Sequence, residues 1–331
     1  MGNVSTLKNP VSTTGETPEI PVPSLDGNFI VDHDRQGLLA HILEIPDGDL
    51  RNILLIGPTG CGKTDLGRWI AATHQRPFYE AMVGQCIEPL DILGIKGVRD
   101  GATYFAESRF VNAVETPNCL VCLDEINRCT PNILNMLIPL LDHRGEVYVE
   151  ELNRYVKVAP GVTFIATANI GTQFSGTYRF DDAISSRFIY TFECSFLDEE
   201  IEKDLLISKT GVSEDDANLL AKLAGTLRSK AEGFGGTLTK LISTRQLLAS
   251  ARLISQGVPL KTALECTVIP SFDDEGGTNS ERSQVLQSVQ LKKSTHKKEP
   301  IKSDMNGFEP PSLDSLQQAL RKLRNVIQGD I

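Results

Sequence analysis

The apolar run Ile53-Leu54-Leu55-Ile56 leads straight into Gly57-Pro58-Thr59-Gly60-Cys61-Gly62-Lys63-Thr64, and that junction restricts the fold more than any other stretch of the chain. Consecutive apolar residues read as a buried strand. A glycine-rich turn that then opens a helix leaves backbone N–H groups converging at the positive end of the helix dipole. The octet fits the complete Walker A pattern, a phosphate cradle. In that pattern Lys63 reaches the β- and γ-phosphates of a nucleotide as a point charge, and the Thr64 hydroxyl ligates Mg²⁺. Asp65 continues the stretch and is counted with the nucleotide-binding residues.

Hydrolysis needs a second carboxylate motif. Cys119-Leu120-Val121-Cys122-Leu123-Asp124-Glu125 is an apolar strand ending in adjacent acids, the Walker B form. A carboxylate at a strand's C-terminal end sits in the crevice where α/β sheets bind ligands, so Asp124 is expected to hold Mg²⁺. Glu125 is then placed to orient and deprotonate the attacking water. Cys119 and Cys122 form a Cys-x-x-Cys spacing, but inside a strand residues three apart point to opposite faces, which excludes a shared metal or a disulfide. The seven cysteines are an odd count without framework spacing and fit reduced thiols, and the five histidines have no metal-ligand spacing.

Around these motifs the pattern predicts strands near 77–82, 119–123, 162–168 and 189–194 besides the one before the phosphate loop. Nearly continuous apolar strands separated by helical segments indicate a parallel sheet covered on both faces. Two hairpins interrupt it, one near 95–105 around Arg99-Asp100-Gly101 and one near 146–158. Thr130-Pro131 reads as the N-cap and first residue of a helix through Leu141, which Pro139 is expected to kink or shorten. Residues 1–27 read as a flexible arm, 28–197 as the α/β nucleotide-binding subdomain and 198–270 as a small all-α subdomain. Residues 271–312 read as a flexible linker and 313–331 as a C-terminal amphipathic helix with Leu313, Leu316, Leu320, Leu323 and Ile327 on one stripe.

The constellation resembles the AAA+ ATPases, specifically the MoxR-like group that includes CbbQ, NorQ and CobS. The residues that carry the likeness are 57–64, Leu123-Asp124-Glu125-Ile126-Asn127-Arg128, Ala166-Thr167-Ala168-Asn169, Ser186-Arg187-Phe188 and Ser243-Thr244-Arg245. The resemblance implies a P-loop α/β fold with a five-stranded parallel sheet of order 5-1-4-3-2, a helical lid, and a ring-shaped oligomer, usually a hexamer. It assigns the first hairpin to the helix-2 insert and the second to the pre-sensor-1 insert. Asn169 matches sensor 1, an amide that positions water against the γ-phosphate. Arg187 matches an arginine finger acting in a neighbour's site, with Arg179 as a competitor for that role and Arg128 as a further group acting across the interface. Arg245 matches sensor 2, which couples nucleotide state to lid angle. The implied activity is ATP hydrolysis with Mg²⁺, used to remodel a client protein or to assist cofactor or metal insertion, CobS being the example of the latter. Such motors commonly work with a von Willebrand factor A partner, which this chain does not contain.

Charge bears on the alternatives. Residues 277–331 carry nine Lys and Arg against six Asp and Glu, a balance of +3, while the rest carries 24 against 37, a balance of −13. So acidic a body is a poor general nucleic-acid binder. A nucleic-acid motor with Arg154 and Lys157 of the second hairpin lining a pore remains an alternative, as does a nucleotide-gated interaction protein with low turnover. No apolar run approaches the ~20 residues that span a bilayer, and the N-terminus has no apolar signal core, which predicts a cytoplasmic protein without membrane contact.

Overall fold

The computed structural model describes residues 19–25, 29, 33–46, 49, 51–99, 101–169, 182–231, 238–275, 277 and 280–293. The chain runs through α1 (His33–Leu43), β1 (Ile53–Gly57), α2 (Lys63–Thr73), β2 (Phe78–Ala81) and α3 (Pro89–Leu93) into a hairpin of β3 (Gly94–Arg99) and β4 (Ala102–Glu107). After α4 (Arg109–Val114), β5 (Leu120–Leu123) and α5 (Pro131–Leu141), a second hairpin pairs β6 (Glu146–Val149) with β7 (Arg154–Lys157). Then come β8 (Thr163–Asn169), α6 (Asp182–Ser185) and β9 (Tyr190–Glu193).

Outside the hairpins the strands form one parallel sheet in the order β2-β5-β8-β1-β9. Numbered one to five within this sheet and read from the other edge, the order is 5-1-4-3-2. The chain-wide labels differ only because the hairpin strands intervene. Alternate residues enter opposite cores: Ile53, Leu55, Leu120, Cys122 and Ile165 pack with Leu66 and Ile70 of α2 on one face. Leu54, Val121, Leu123, Phe164 and Ala166 pack with Phe110 of α4 and Leu137 of α5 on the other. A strand covered on both faces needs an apolar side chain at every position, which is why these runs are unbroken in sequence. Cys119 and Cys122 fall into the two different cores. Burial pushes the Cys119 thiol up to about 12 and the Cys122 thiol well above its ordinary value.

Thr130 and Pro131 are the N-cap and first residue of a helix through Leu141, as read, although the Thr130 hydroxyl makes no cap bond and donates instead to Ile87 O at 3.0 Å. Three sequence expectations change. Pro139 does not shorten α5: the bond it cannot donate falls in the last turn, and Asp142 N–H still donates to Ile138 O at 3.1 Å. Residues 19–25, assigned to the arm, include a docked segment, with Ile20 buried and Pro21 O accepting from Phe78 N–H at 3.0 Å on the open edge of β2. The segment read as a linker from 271 contains α11 (Glu281–Lys293). Its Val285 and Val289 are two buried anchors spaced by four in a polar sequence, too few to register as a periodic stripe. The expected helix over 313–327 lies outside the described residues.

The helical part consists of α7 (Glu199–Thr210), α8 (Glu214–Ala231), α9 (Thr244–Ser255), α10 (Leu260–Thr267) and α11, around a core of Leu206, Leu220, Leu227, Leu247, Leu264 and the two α11 valines. A buried charge cluster lies within it. Arg228 of α8 donates to both Glu202 oxygens at 2.7 and 2.9 Å and through Nε to Ile242 O at 2.9 Å, with its guanidinium 3.8 Å from the centre of the Phe196 ring. Thr244 Oγ1 donates to the same carboxylate at 2.7 Å, fixing the start of α9 against α7 and α8. No described helix is long and apolar enough to cross a membrane.

Candidate functional site

The turn after β1 bends through Gly60 and Gly62, at φ 78° and 94°, conformations that cost an L side chain free energy but not glycine. At Gly60 space adds a second demand, because a Cβ there would lie 2.5 Å from Ser243 Cβ, the residue that caps α9. The phosphate loop and the start of the lid helix are therefore in contact. Lys63, the first residue of α2, folds back over the loop: its Nζ donates to Gly57 O at 2.9 Å, Pro58 O at 2.7 Å and Asn169 Oδ1 at 2.8 Å. Burial lowers the Lys63 pKa, opposed by the nearby Asp124 and Glu125 carboxylates.

Because β1 and β5 both flank β8, the phosphate loop and the strand-end acids meet at one end of the sheet. Thr64 Oγ1 donates to Asp124 Oδ1 at 2.8 Å, and Thr167 Oγ1 donates to the same oxygen at 2.7 Å. Glu125 takes a left-handed conformation at φ 53°, which turns the chain sharply off the strand. Its carboxylate is gripped from two sides, by Asn169 Nδ2 at 3.0 Å on Oε1 and by Arg128 Nε at 3.3 Å on Oε2. A continuous chain of polar contacts thus runs Lys63–Asn169–Glu125–Arg128, with Thr64–Asp124–Thr167 beside it. A hydroxyl and a carboxylate converging within hydrogen-bond distance are the hard oxygen donors that Mg²⁺ takes, so Thr64 and Asp124 fit that ion.

The structure brings together Lys63, Thr64, Asp124, Glu125, Asn169 and Arg128, and the loop from Gly57 to Gly62 curls under Lys63. Asp65 does not join them: it is exposed and lies 4.0 Å from Arg68 one turn along α2. Thr59 is exposed, and Cys61 turns away toward Cys194 O at 3.8 Å. Arg245 is exposed in the first turn of α9, two residues past the Ser243 that touches Gly60. Arg128 engages the carboxylate of its own chain, where the resemblance had it acting across an interface.

Arg187 lies elsewhere. Ile53 pairs with Tyr190, so Arg187 precedes β9 at the N-terminal end of β1, and its carbonyl accepts from Asn52 Nδ2 at 3.1 Å. The phosphate loop follows the other end of β1, roughly 16 Å away along a strand of this length. Arg187 Nη1 donates to Ala183 O at 2.8 Å and Ser186 Oγ at 2.7 Å, Nη2 is 3.8 Å from Asp142, and Nε is buried without a hydrogen-bond partner among the described residues. At the far end of the strand, the guanidinium cannot serve its own phosphate loop. Arg179 lies outside the described residues.

Two contributors escaped the sequence reading. Thr167 accepts from Glu125 N–H at 2.9 Å while donating to Asp124, and Asn127 contacts the backbone of Asn169. Both stand inside the quoted motifs, Thr167 two residues before Asn169 and Asn127 two after Glu125. Thr167 is marked only as a polar residue near the end of an otherwise apolar strand, and Asn127 only by its place in the turn after the acids.

Two parts of the chain match known families, and relatives span most of its length. Residues 52–188 match the model for the AAA domain of the dynein-related subfamily, and residues 202–289 match that for the CbbQ/NirQ/NorQ C-terminal domain. The putative chaperone BssE of Thauera aromatica is 33% identical over 259 residues, spanning 78% of this chain and 88% of that protein. Protein NorQ of Paracoccus denitrificans is 27% identical over 223 residues, spanning 67% of this chain and 80% of that protein. Among solved structures, the Thermotoga maritima RuvB Holliday junction branch migration motor is 16% identical at a TM-score of 0.49, covering 92% of this chain and 86% of that one.

Proposed function

The chain belongs to the MoxR-like AAA+ ATPases, with a CbbQ/NirQ/NorQ-type C-terminal part, and on that premise we propose that it hydrolyses ATP as a ring-forming motor that remodels a client protein. The carrying observation is the polar chain from Lys63 through Asn169 to Glu125, with Thr64 and Asp124 alongside. In this reading Lys63 leaves its two loop carbonyls for the β- and γ-phosphates. Asn169 holds the attacking water beside the γ-phosphate, and Glu125 takes its proton. Thr64 and Asp124 hold Mg²⁺, which supplies charge neutralisation on the phosphates. Arg245 reports nucleotide state to the lid, and Arg187 completes the site of an adjacent subunit, because its place at the far end of the sheet gives it no role in its own.

The name of the BssE relative, a putative chaperone, supports a protein client. In this reading that client is handled in the cytoplasm, with a separate von Willebrand factor A protein as adaptor. Assistance to cofactor or metal insertion is one form such remodelling takes. The charge distribution and the second hairpin both weigh against a nucleic-acid substrate. Arg154 is paired with Glu107 at 2.9 Å and with Glu115, and Lys157 with Glu146 at 3.1 Å, so the cations that would grip a phosphate backbone are already neutralised. Steady-state phosphate release from the wild type, with and without DNA or RNA, tests the reading: turnover that nucleic acid leaves unchanged supports it. An inert protein, or one active only with nucleic acid, would overturn it.

A further inference from the structure

β8 outruns one of its neighbours. On the β1 side it is paired to its last residue, Gly57 opposite Asn169. On the β5 side pairing ends at Leu123 opposite Ala166, because the chain leaves β5 at Asp124 and turns through the left-handed Glu125. Residues 167–169 therefore project past the end of β5. A buried backbone N–H or C=O without a strand beside it needs a substitute partner.

Asn127 provides one. Its side-chain amide donates through Nδ2 to Asn169 O at 2.9 Å and faces Asn169 N–H with Oδ1 at 3.4 Å. A primary amide carries one donor edge and one acceptor edge in a plane, the same pair that a peptide unit of a neighbouring strand presents. Asn127 and Asn169 are 7% and 4% exposed, so water does not compete for these contacts. With its backbone N–H and C=O clamped by Asn127 on this side and its strand in register with β1 on the other, Asn169 holds its own side chain in one orientation, Oδ1 toward Lys63 and Nδ2 toward Glu125.

We infer that Asn127 is a positioning residue of the hydrolytic site, standing in for a missing strand so that the Asn169 amide spans the phosphate-binding lysine and the water-activating glutamate. The inference rests on the ATPase reading and adds to it a residue that acts only through Asn169. A leucine, with the same branched skeleton but bulkier methyl ends, would fill the space and leave both Asn169 backbone groups unpaired. Aspartate would keep an acceptor for the N–H and place a second oxygen against the carbonyl.

The test compares the wild type with Asn127→Leu, Asn127→Asp, Asn169→Ala and Asn127→Leu/Asn169→Ala. It reads kcat and KM for ATP, the affinity for mant-ATP, and the thermal midpoint. Asn127→Leu is expected to lower kcat by roughly 10- to 100-fold, the scale of a misplaced catalytic group, while mant-ATP affinity stays within about threefold. Added to Asn169→Ala it should change kcat little further, since the group it positions has gone. Asn127→Asp should fall between the wild type and Leu, and it decides the matter if Leu does not fold. The inference is overturned if the folded Asn127 variants keep the wild-type kcat, if binding and kcat fall together, or if the two substitutions multiply. A wild type with no turnover would overturn the ATPase reading, and this inference with it.

Discussion

Lys63 and Glu125 flank Asn169 in one chain of polar contacts, and their tasks separate on mutation. Glu125→Gln keeps a carbonyl oxygen for Asn169 Nδ2, so the site should stay assembled and bind mant-ATP normally. Losing the base should lower phosphate release by roughly 10²–10⁴. Lys63→Ala instead strips a donor from Gly57 O, Pro58 O and Asn169 Oδ1, and binding should weaken with turnover. Equal loss of affinity in both variants would contradict that division. Cys61 offers a chemical probe of the same loop. Burial raises its thiol above the usual 9.0, and the thiolate is the reactive form, so alkylation should be slow near neutrality and keep accelerating as pH rises beyond 9.0. The exposed Cys266 should react first. Peptide mapping after N-ethylmaleimide treatment checks this, and equal labelling of Cys61 and Cys266 at pH 7 would mean the loop is open. At this scale the sequence made Lys63, Thr64, Asp124 and Glu125 legible because each is tied to a motif by spacing. Thr167 and Asn127 were not, because their partners are backbone groups and a carboxylate some forty residues away in the chain, brought close only by the sheet register.

The elements that present these residues depend on a few fixed joints, and the buried Arg228–Glu202 pair is the strongest among those described. Glu202 is 1% exposed and receives Arg228 in a bidentate fork together with the Thr244 hydroxyl, linking α7, α8 and the first residue of α9. Removing one member of a buried pair strands the other charge, so Arg228→Ala should cost about 3–5 kcal/mol in urea unfolding. Arg228→Met, which keeps apolar contact with Phe196, should not restore it while Glu202 stays. A loss under 1 kcal/mol would mean water enters the joint. Because Ser243 touches Gly60, the same change should also loosen the lid's grip on the phosphate loop. Five parallel strands and both hairpins were legible element by element, since two-sided burial writes unbroken apolar runs and exposed hairpins write alternation. The joint was not: an acid in the first turn of one helix and an arginine near the end of the next look like ordinary surface charge. The role of α11 was hidden for the complementary reason, two valines in a polar helix being too sparse to mark a buried face.

At the scale of the whole molecule, the groups assigned to hydrolysis by the proposal fall at two ends of the sheet. The phosphate loop and acids lie at the C-terminal end of β1, whereas Arg187 lies at the N-terminal end, with Nη1 bonded to Ala183 O and Ser186 Oγ and Nη2 3.8 Å from Asp142. A head-to-tail arrangement of identical subunits brings opposite faces together at every contact, and closes into a ring if the rotation per subunit divides a full turn. Under the proposed function, Arg187 of one copy acts in such a ring on the γ-phosphate held by the next, where a guanidinium would stabilise the charge that develops during transfer. Turnover per subunit should then rise with protein concentration through the assembly range and plateau above it. Arg187→Ala and Lys63→Ala subunits should each be inactive alone. Co-assembled in equal amounts, they should recover activity, because roughly one interface in four pairs an intact phosphate loop with an intact finger. Recovery requires the two groups to act in different chains. Mixed rings that assemble, bind mant-ATP and release no phosphate would show Arg187 acting within its own subunit, and would require a rearrangement that carries it the length of the sheet.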